Sequence, residues 1–400
     1  MSDDLSLGLS SLFVVALVAA LAPIAVGLLA RFRVPQVVVL IVGGIVVGPD
    51  VLKLADPASI ELVSNVGLGF LFLLAGYELE LHLFRERPGR LALVGWFVTA
   101  ALACAVVGLL AAVGLVRAFI PVALGLTTTA LGTLLPILRD NDMLGGRFGP
   151  YVLATGAVGE FLPVVAIAIF LGANGKFLGL ISLLVVGVLA LVLTLAPRLV
   201  RGRLEQIMRE GEHATAQTTL RWTLVLLLLL LVVADRFGLD VVLGAFLAGV
   251  VLRRWAPGDV HALEEKLDAV GYGFFIPVFF VASGMGLDIH SIMDAPGRLA
   301  LFFGLLFAVR GLPTLLLYRS ALSLPQRVEL SLLAATALPL LVALTTIGLQ
   351  NGSMLPENAA ALVGAGVLSV LVFPAAAVAI DRRFARSRHD LNVRPEQPQT

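Results

Sequence analysis

The chain has 400 residues, of which 59% are hydrophobic and only 14% are charged, and its formal net charge is +1. This composition excludes a soluble globular protein with a polar surface and indicates an integral membrane protein. A helix needs roughly 20 apolar residues to cross the hydrocarbon core, and many stretches of the chain meet that length. The single cysteine, Cys104, excludes an internal disulfide and a thiolate metal cluster.

Membrane-spanning helices dominate the pattern of the sequence. Apolar runs bounded by charges, glycine or proline predict about 13 spans and hence an all-α fold. Their approximate bounds are 11–30, 34–52, 58–80, 90–114, 119–138, 148–172, 178–199, 221–238, 240–253, 267–287, 297–318, 326–350 and 356–380. With the N-terminus outside, 22 of the 28 Lys and Arg residues fall in inner loops or in the tail, which is the bias that sets orientation. The residues left outside are Lys53, Arg117, Lys176, Arg236 and Arg298. The sequence therefore predicts a multi-pass protein of the cell (inner) membrane with a cytoplasmic C-terminus.

A carboxylate interrupts the sixth of these spans. The stretch Gly-Ala-Val-Gly-Glu-Phe-Leu-Pro (156–163) places Glu160 midway along the span. An ionisable group near the bilayer centre costs roughly 2.5–3.5 kcal/mol, so such groups tend to mark ion or proton pathways. The only other ionisable residue predicted near mid-depth is Arg310. We hypothesise that Glu160 alternately holds a proton and a metal cation, with Arg310 as its charge partner. The alternative is a permanent salt bridge that only holds the bundle together.

The sequence also contains a weak internal repeat. Leu-Thr-Thr-Thr-Ala-Leu-Gly (126–132) in span 5 corresponds to Leu-Thr-Thr-Ile-Gly (344–348) in span 12, and the spans that follow them also correspond. Because the two copies are offset by seven spans, an odd number, they cross the membrane in opposite directions. Inverted repeats with interrupted helices in matching positions are typical of alternating-access transporters, whose site lies at the repeat interface.

Each of these two threonine-containing spans is a candidate for a broken helix. An unwound turn exposes backbone carbonyls to a cation, and the ends of the half-helices add partial charge. The residues predicted to interrupt the helices are Gly132, Pro136, Pro339 and Gly348, beside Thr127–Thr129 and Thr345–Thr346. The alternative is that the threonine hydroxyls bond to carbonyls of their own helix and only bend it.

Four stretches together resemble a known family. They are Ile-Val-Gly-Gly-Ile-Val-Val-Gly-Pro (41–49), Phe-Leu-Phe-Leu-Leu-Ala-Gly-Tyr-Glu-Leu (70–79), Leu-Gly-Ala-Phe-Leu-Ala-Gly-Val-Val-Leu (243–252) and Ile-Pro-Val-Phe-Phe-Val-Ala-Ser-Gly-Met-Gly-Leu-Asp (276–288). In this order they resemble the monovalent cation:proton antiporter superfamily, in particular the branch with bacterial sodium/proton exchangers and the membrane part of glutathione-gated potassium-efflux systems. The resemblance covers nearly the whole membrane region.

The resemblance implies an architecture. It implies a homodimer whose protomers each have a dimerisation domain and a moving, elevator-like core domain, in which the discontinuous spans 5 and 12 cross. Residues 1–383 would form one exchanger-type transmembrane domain, with inverted repeats at about 11–172 and 221–380 and a connecting helix at about 178–199. Residues 384–400 would form a disordered cytoplasmic tail.

The resemblance also implies which residues bind the ion. Members of the family carry a pair such as Asp-Asp, Asn-Asp or Gln-Asp in span 6, and the second acid binds the ion. Here the matching pair is Gly159-Glu160, which departs from that pattern because Glu replaces Asp and the first position has no side chain. Electroneutral relatives have one carboxylate and often an arginine in span 11, so Arg310 implies one-for-one exchange.

The sequence therefore predicts a transporter, not an enzyme, that exchanges Na⁺ or K⁺ for H⁺ with Glu160 as the shared site. The predicted auxiliary ligands are Thr128, Thr129, Thr345 and Thr346 with their backbone. We expect no resident cofactor, since the cation and the proton are cargo; the expected partners are the lipid bilayer and a second copy of the chain, and not nucleic acid. The alternatives are an anion or organic-solute transporter in which Arg310 contacts the solute, and a membrane sensor that transports nothing.

Overall fold

The computed structural model describes residues 2–28, 34–78, 85–171, 181, 184–194, 217–239, 241–255, 260–287, 289–294, 296–350 and 352–392. The regular secondary structure of these residues is helical, which confirms the all-α prediction. Within the described ranges, nine helices are long and apolar enough to cross a membrane, and Gln36–Val47 and Leu184–Thr194 are shorter apolar helices. The count of about 13 spans stays a prediction.

The helices are numbered in chain order. They are α1 (Ser2–Leu28), α2 (Gln36–Val47), α3 (Glu61–Glu78), α4 (Arg87–Ala112), α5 (Phe119–Gly125), α6 (Leu131–Asp140), α7 (Gly149–Phe170), α8 (Leu184–Thr194), α9 (Thr218–Arg236), α10 (Val241–Trp255), α11 (Val260–Val270), α12 (Ile276–Met285), α13 (Ile289–Asp294), α14 (Pro296–Leu305), α15 (Leu312–Leu317), α16 (Leu324–Ala334), α17 (Pro339–Gln350) and α18 (Pro356–Asn392). Helix α8 lies within the connecting helix that was predicted at 178–199. Most of the other residues of that range lie outside the described residues.

Two π-helical turns continue helices instead of ending them. Gly271–Phe275 joins α11 to α12, and Leu306–Gly311 joins α14 to α15. Pro277 and Pro313 follow these turns at the second position of α12 and α15. A proline has no N–H and its ring collides with the carbonyl four residues earlier, so the helix widens just before it. The second π-turn contains Arg310.

The chain folds into two compact units, and each is built from three separate segments. The first unit consists of Met1–Glu80, Glu160–Ala295 and Val342–Ala360, and the second consists of Leu81–Gly159, Pro296–Leu341 and Ala361–Thr400. Helix α7 is continuous across one of these divisions, which falls between Gly159 and Glu160.

In the first unit, glycines bring helix backbones into direct contact. A Cβ on Gly249 of α10 would collide with the carbonyl oxygen of Leu73 on α3 and lie 2.6 Å from the backbone nitrogen of Tyr77. A Cβ on Gly44 of α2 would collide with the carbonyl oxygen of Val281 on α12. Small residues at these positions allow close packing, which drives helix association where lipid removes the hydrophobic effect.

In the second unit, two helices are interrupted. Residues 126–130 leave the helical path between α5 and α6, and residues 335–338 do so between α16 and α17. The second of these belongs to a candidate span, Leu324–Leu349. The prediction of discontinuous spans 5 and 12 is therefore confirmed.

The C-terminal helix is longer than expected. Helix α18 runs to Asn392, past residue 384, at which the predicted disordered tail begins. Residues 393–400 of that tail lie outside the described residues.

The close contact of α3 and α10 yields a stability prediction. Gly249→Ala forces two backbones apart, so we expect it to lower the unfolding free energy by about 1–3 kcal/mol. Gly27→Ala is the matched control, because a Cβ there meets nothing within 4 Å. The two variants are compared by their thermal unfolding midpoints in detergent, with gel filtration as the measure of the folded fraction. Equal midpoints for the two variants would contradict the packing described for Gly249.

Candidate functional site

The first interruption follows from three consecutive threonines. The hydroxyl of Thr127 donates to the carbonyl oxygen of Leu124 at 2.7 Å, and that of Thr128 donates to the carbonyl oxygen of Gly125 at 2.8 Å. Such local bonds offer the backbone an alternative to the helical ladder. Thr127, Thr128 and Thr129 are all buried. The unwound segment is therefore enclosed by protein, which is the condition for irregular backbone inside a membrane.

The second interruption lies immediately before Pro339, the first residue of α17. A proline disfavours the helical conformation of the residue before it and cannot donate to a preceding turn. Thr345 and Thr346 lie inside α17, and each hydroxyl donates to the carbonyl oxygen of Val342 at 2.9 Å. For this pair the alternative applies, in which the hydroxyls bond to their own helix.

The breaks therefore differ in position from those predicted. Gly132 and Pro136 lie within α6, and Gly348 lies within α17. Of the predicted helix-breaking residues only Pro339 borders an interruption. The unwound residues that match Thr127–Thr129 are 335–338 and not 344–348, because the proline acts on the residues before it and not on a threonine pair after it.

The two unwound segments cross and bond to each other. The backbone N–H of Ala130 donates to the carbonyl oxygen of Thr336 at 2.8 Å. The hydroxyl of Thr129 donates to the carbonyl oxygen of Ala334 at 2.7 Å. The expectation that the discontinuous helices cross is thereby confirmed. Each segment supplies hydrogen-bond partners that the other lost by leaving its helix.

Helix α7 is tied to this crossing at the residue before Glu160. The backbone N–H of Thr129 donates to the carbonyl oxygen of Gly159 at 2.9 Å. In a regular helix that carbonyl accepts from the residue four positions later, which here is Pro163 and has no N–H. The proline thus leaves the Gly159 carbonyl for the crossing segment. The spacing of Gly159 and Pro163 is the sequence signal for this contact.

Arg310 bonds to both the crossing and α7. Its side chain is only 1% exposed. Its Nε donates to the hydroxyl oxygen of Thr129 at 3.0 Å, and its Nη2 donates to the carbonyl oxygen of Thr155 at 3.1 Å. Bonds from a charged donor are worth more than neutral ones and reduce the cost of burying the guanidinium.

The guanidinium also explains the glycine at position 159. A Cβ on Gly159 would collide with Nη2 of Arg310 and lie 2.5 Å from the hydroxyl oxygen of Thr129. Arg310 and Thr129 therefore occupy the space in which a side chain at this position would begin. The missing first side chain of the Gly159-Glu160 pair is a packing requirement of this chain.

Glu160 lies at the middle of α7 and is 7% exposed. On the same helix the ring of Phe161 packs against Phe246 of α10, with ring centroids 5.4 Å apart. A carboxylate so placed requires neutralisation or ligands, because an unpaired ionised group is costly in an apolar medium. The ion-binding roles of Glu160 and the four threonines, and the role of Arg310 as charge partner, stay predictions.

Several buried polar residues of the second unit were not identified from the sequence. The hydroxyl of Ser369 on α18 accepts from the backbone N–H of Ala337 at 3.0 Å and so holds the second unwound segment. The hydroxyls of Thr155 and Tyr318 are 2.8 Å apart. Serine and threonine are common within spans, so no local pattern distinguishes these positions.

Glu329 is a further buried carboxylate, only 3% exposed. It lies in α16, near the start of the Leu324–Leu349 span. The local sequence does not indicate that this residue is buried, so its burial comes from tertiary packing. Arg310 and Glu160 are therefore not the only ionisable residues enclosed within the spans.

The space at Gly159 yields a prediction. Gly159→Ala places a methyl group against Arg310 and Thr129, so we expect a loss of about 1–3 kcal/mol in unfolding free energy and a disrupted crossing. In the same unit, Gly132→Ala is the control, since a Cβ there meets nothing within 4 Å. Melting midpoints of the purified variants measure both. A tolerated Gly159→Ala would mean that the guanidinium does not occupy this space.

The hydroxyl of Thr129 yields a second prediction. Thr129→Val removes the acceptor of Arg310 Nε and the donor to Ala334, whereas Thr129→Ser keeps both. Leaving buried polar groups unsatisfied costs about 1–3 kcal/mol each, so we expect the valine variant to be clearly less stable than the serine variant. The same melting assay compares them, and equal stability would contradict the bonding described.

The chain is similar in sequence to known membrane transport proteins. A family model described as sodium/hydrogen exchanger, transmembrane, matches residues 15–380. The putative Na(+)/H(+) antiporter YjbQ of Bacillus subtilis is 30% identical over 307 residues, which are 71% of this chain and 48% of that protein. The probable Na(+)/H(+) antiporter 3 of Methanocaldococcus jannaschii is 24% identical over 292 residues, 70% of this chain and 73% of the relative.

A potassium-efflux protein and a solved structure extend the comparison. The glutathione-regulated potassium-efflux system protein KefC of Klebsiella aerogenes is 28% identical over 277 residues, 65% of this chain and 42% of that protein. This chain thus spans about half the length of YjbQ and less of KefC. The structure of the sodium proton antiporter MjNhaP1 from Methanocaldococcus jannaschii at pH 8 matches with a TM-score of 0.62 at 17% identity, covering 96% of this chain and 97% of that one. At this identity the match concerns the fold. The chain therefore belongs to the sodium/hydrogen exchanger family of the monovalent cation:proton antiporter superfamily, a family of membrane transporters and not of enzymes.

Proposed function

We propose that the protein exchanges a monovalent cation, Na⁺ or K⁺, for H⁺, and that Glu160 binds both in turn. The observation that carries the proposal is a buried carboxylate at the middle of a helix long enough to span the membrane. It directly follows Gly159, whose carbonyl bonds to the unwound segment at Thr129. An ionisable residue inside a span is by default a functional one.

The coupling follows from the single negative charge of the Glu160 carboxylate. A proton bound to that carboxylate removes the charge that attracts a cation, and a bound cation disfavours protonation. The two ligands therefore compete for one site, so the carrier crosses loaded with one or the other. No resident cofactor is needed, since both ligands are cargo.

Oxygen atoms supply the remaining ligands in this proposal. Thr128, Thr129, Thr345 and Thr346, with backbone carbonyls, are the auxiliary ligands. The Thr128 and Thr345 hydroxyls direct their hydrogens to carbonyls of their own segments, which leaves the oxygen lone pairs available to a cation. Hard cations prefer such neutral oxygens alongside a carboxylate.

The charge balance supports one-for-one exchange. Arg310 is a buried basic residue, and its proposed role is that of the fixed positive charge partner of the site. One site that carries either H⁺ or a monovalent cation moves no net charge in a full cycle. Electroneutral transport by alternating access in a homodimer, with the N-terminus outside the cell membrane, completes the proposal.

The names of the relatives point to two candidate cations, Na⁺ and K⁺. The Bacillus and Methanocaldococcus proteins bear sodium/proton antiporter names, and the Klebsiella protein bears a potassium-efflux name. Both cations fit a site of one carboxylate and neutral oxygens.

Proteoliposome transport tests the proposal. With a pH dye trapped inside, adding Na⁺ or K⁺ to wild-type vesicles is expected to move protons. Glu160→Gln keeps the size of the side chain but removes the charge, so we expect exchange to fall to the background of empty vesicles. Glu61→Gln is the matched control, because Glu61 is exposed at the start of α3.

The outcomes separate the alternatives. Proton movement in wild type that persists in Glu160→Gln would show that the site is elsewhere. A wild-type protein that moves no protons with Na⁺, K⁺, Li⁺ or Rb⁺ would contradict cation exchange and favour a sensor or a transporter of organic anions. Gel filtration of each variant confirms that loss of exchange is not loss of folding.

A further inference from the structure

Two side chains of one helical segment, Pro296–Ser320, hold the same residue of α7. The Nη2 of Arg310 donates to the carbonyl oxygen of Thr155 at 3.1 Å, and the hydroxyl of Tyr318 pairs with the hydroxyl of Thr155 at 2.8 Å. Arg310 and Tyr318 are eight positions apart, or about 12 Å along a helix, so two separate places on one segment converge on one residue of α7. We call these three residues the Thr155 clamp.

The phenol of Tyr318 is fixed in place. Tyr318 is fully buried and packs edge-to-face against Tyr151, with ring centroids 5.9 Å apart. It belongs to a hydrophobic cluster that includes Leu330 and Leu333 of α16. A phenylalanine would fill this cluster without burying a polar hydroxyl, which costs free energy unless it is bonded. The hydroxyl of Tyr318 therefore has a task beyond packing, and its partner is Thr155.

The clamp holds Arg310 next to the part of α7 that leads to Glu160. Thr155 lies one helical turn before Gly159, on the same face of α7. The guanidinium that bonds to Thr155 also bonds to Thr129 and fills the space beside Gly159. A shift of Thr155 along the axis of α7 would therefore also shift Gly159 relative to the guanidinium of Arg310.

We propose that Tyr318 is a positioning residue of the exchange reaction. By holding Thr155 it fixes the register of α7 against the Arg310 segment, and thereby sets the apparent affinity of the site for its cation. This inference rests on the proposed function of Glu160.

Removing one hydroxyl tests the proposal. In full-length protein in proteoliposomes, Tyr318→Phe is expected to raise the KM for the cation about three- to tenfold at fixed pH, the effect of one net hydrogen bond, with the maximal rate unchanged. Tyr151→Phe is the matched control, since it removes a phenol hydroxyl from the neighbouring ring, outside the clamp. We expect its KM to equal that of wild type.

A double-mutant cycle separates the hydrogen bond from general destabilisation. Thr155→Val deletes the other hydroxyl and keeps the carbonyl that Arg310 uses, so it should raise the KM by the same factor. The double variant Tyr318→Phe/Thr155→Val should show no larger increase than either single change. Should Tyr318→Phe fail to fold, Thr155→Val alone tests the same bond.

The contrary results are distinct. An unchanged KM in Tyr318→Phe, a KM change as large in Tyr151→Phe, or additive effects in the double variant would overturn the role of Tyr318 while wild-type exchange stands. Absence of exchange in wild type would instead contradict the proposed function, and this inference with it.

Discussion

The hydrogen bond from the N–H of Thr129 to the carbonyl of Gly159 is the contact on which the second unit depends. Unwound backbone inside a membrane must find its partners within the protein, because lipid offers none. Pro163 makes a helix carbonyl available by lacking an N–H, and the crossing segment uses it. The bond therefore gives both the N–H of Thr129 and the carbonyl of Gly159 a partner. Gly159 is the residue before Glu160, the only carboxylate of α7.

Arg310 adds charge to this neutral framework. A π-turn displaces it from the regular helical path, and its guanidinium bonds to one unwound segment and to α7. Gly159 is small because the guanidinium needs its space. The absence of a side chain at position 159 is thus coupled to Arg310, because the guanidinium group occupies the space that a Cβ at this position would need.

The two interruptions show where sequence patterns are informative. Three threonines in succession mark the first break correctly, because their hydroxyls compete locally for backbone carbonyls. The pair Thr345–Thr346 shows the same residue type without a break, since both hydroxyls bond within an intact helix. There the determining residue is Pro339, whose effect falls on the residues before it.

The sequence by itself determined that this is a helical membrane protein, that two of its spans are interrupted, and that Glu160 lies inside a span. The helical spans and the place of Glu160 follow from composition and periodicity, which act over one or two helical turns. The interruptions were predicted from threonine, glycine and proline residues in matching spans and from the family resemblance. Only the tertiary structure decided that Tyr318 meets Thr155, that Ser369 holds Ala337, and that Glu329 is buried. Those contacts join residues far apart in the chain, and a hydroxyl's partner depends on which helix face packs against it, which no local pattern encodes.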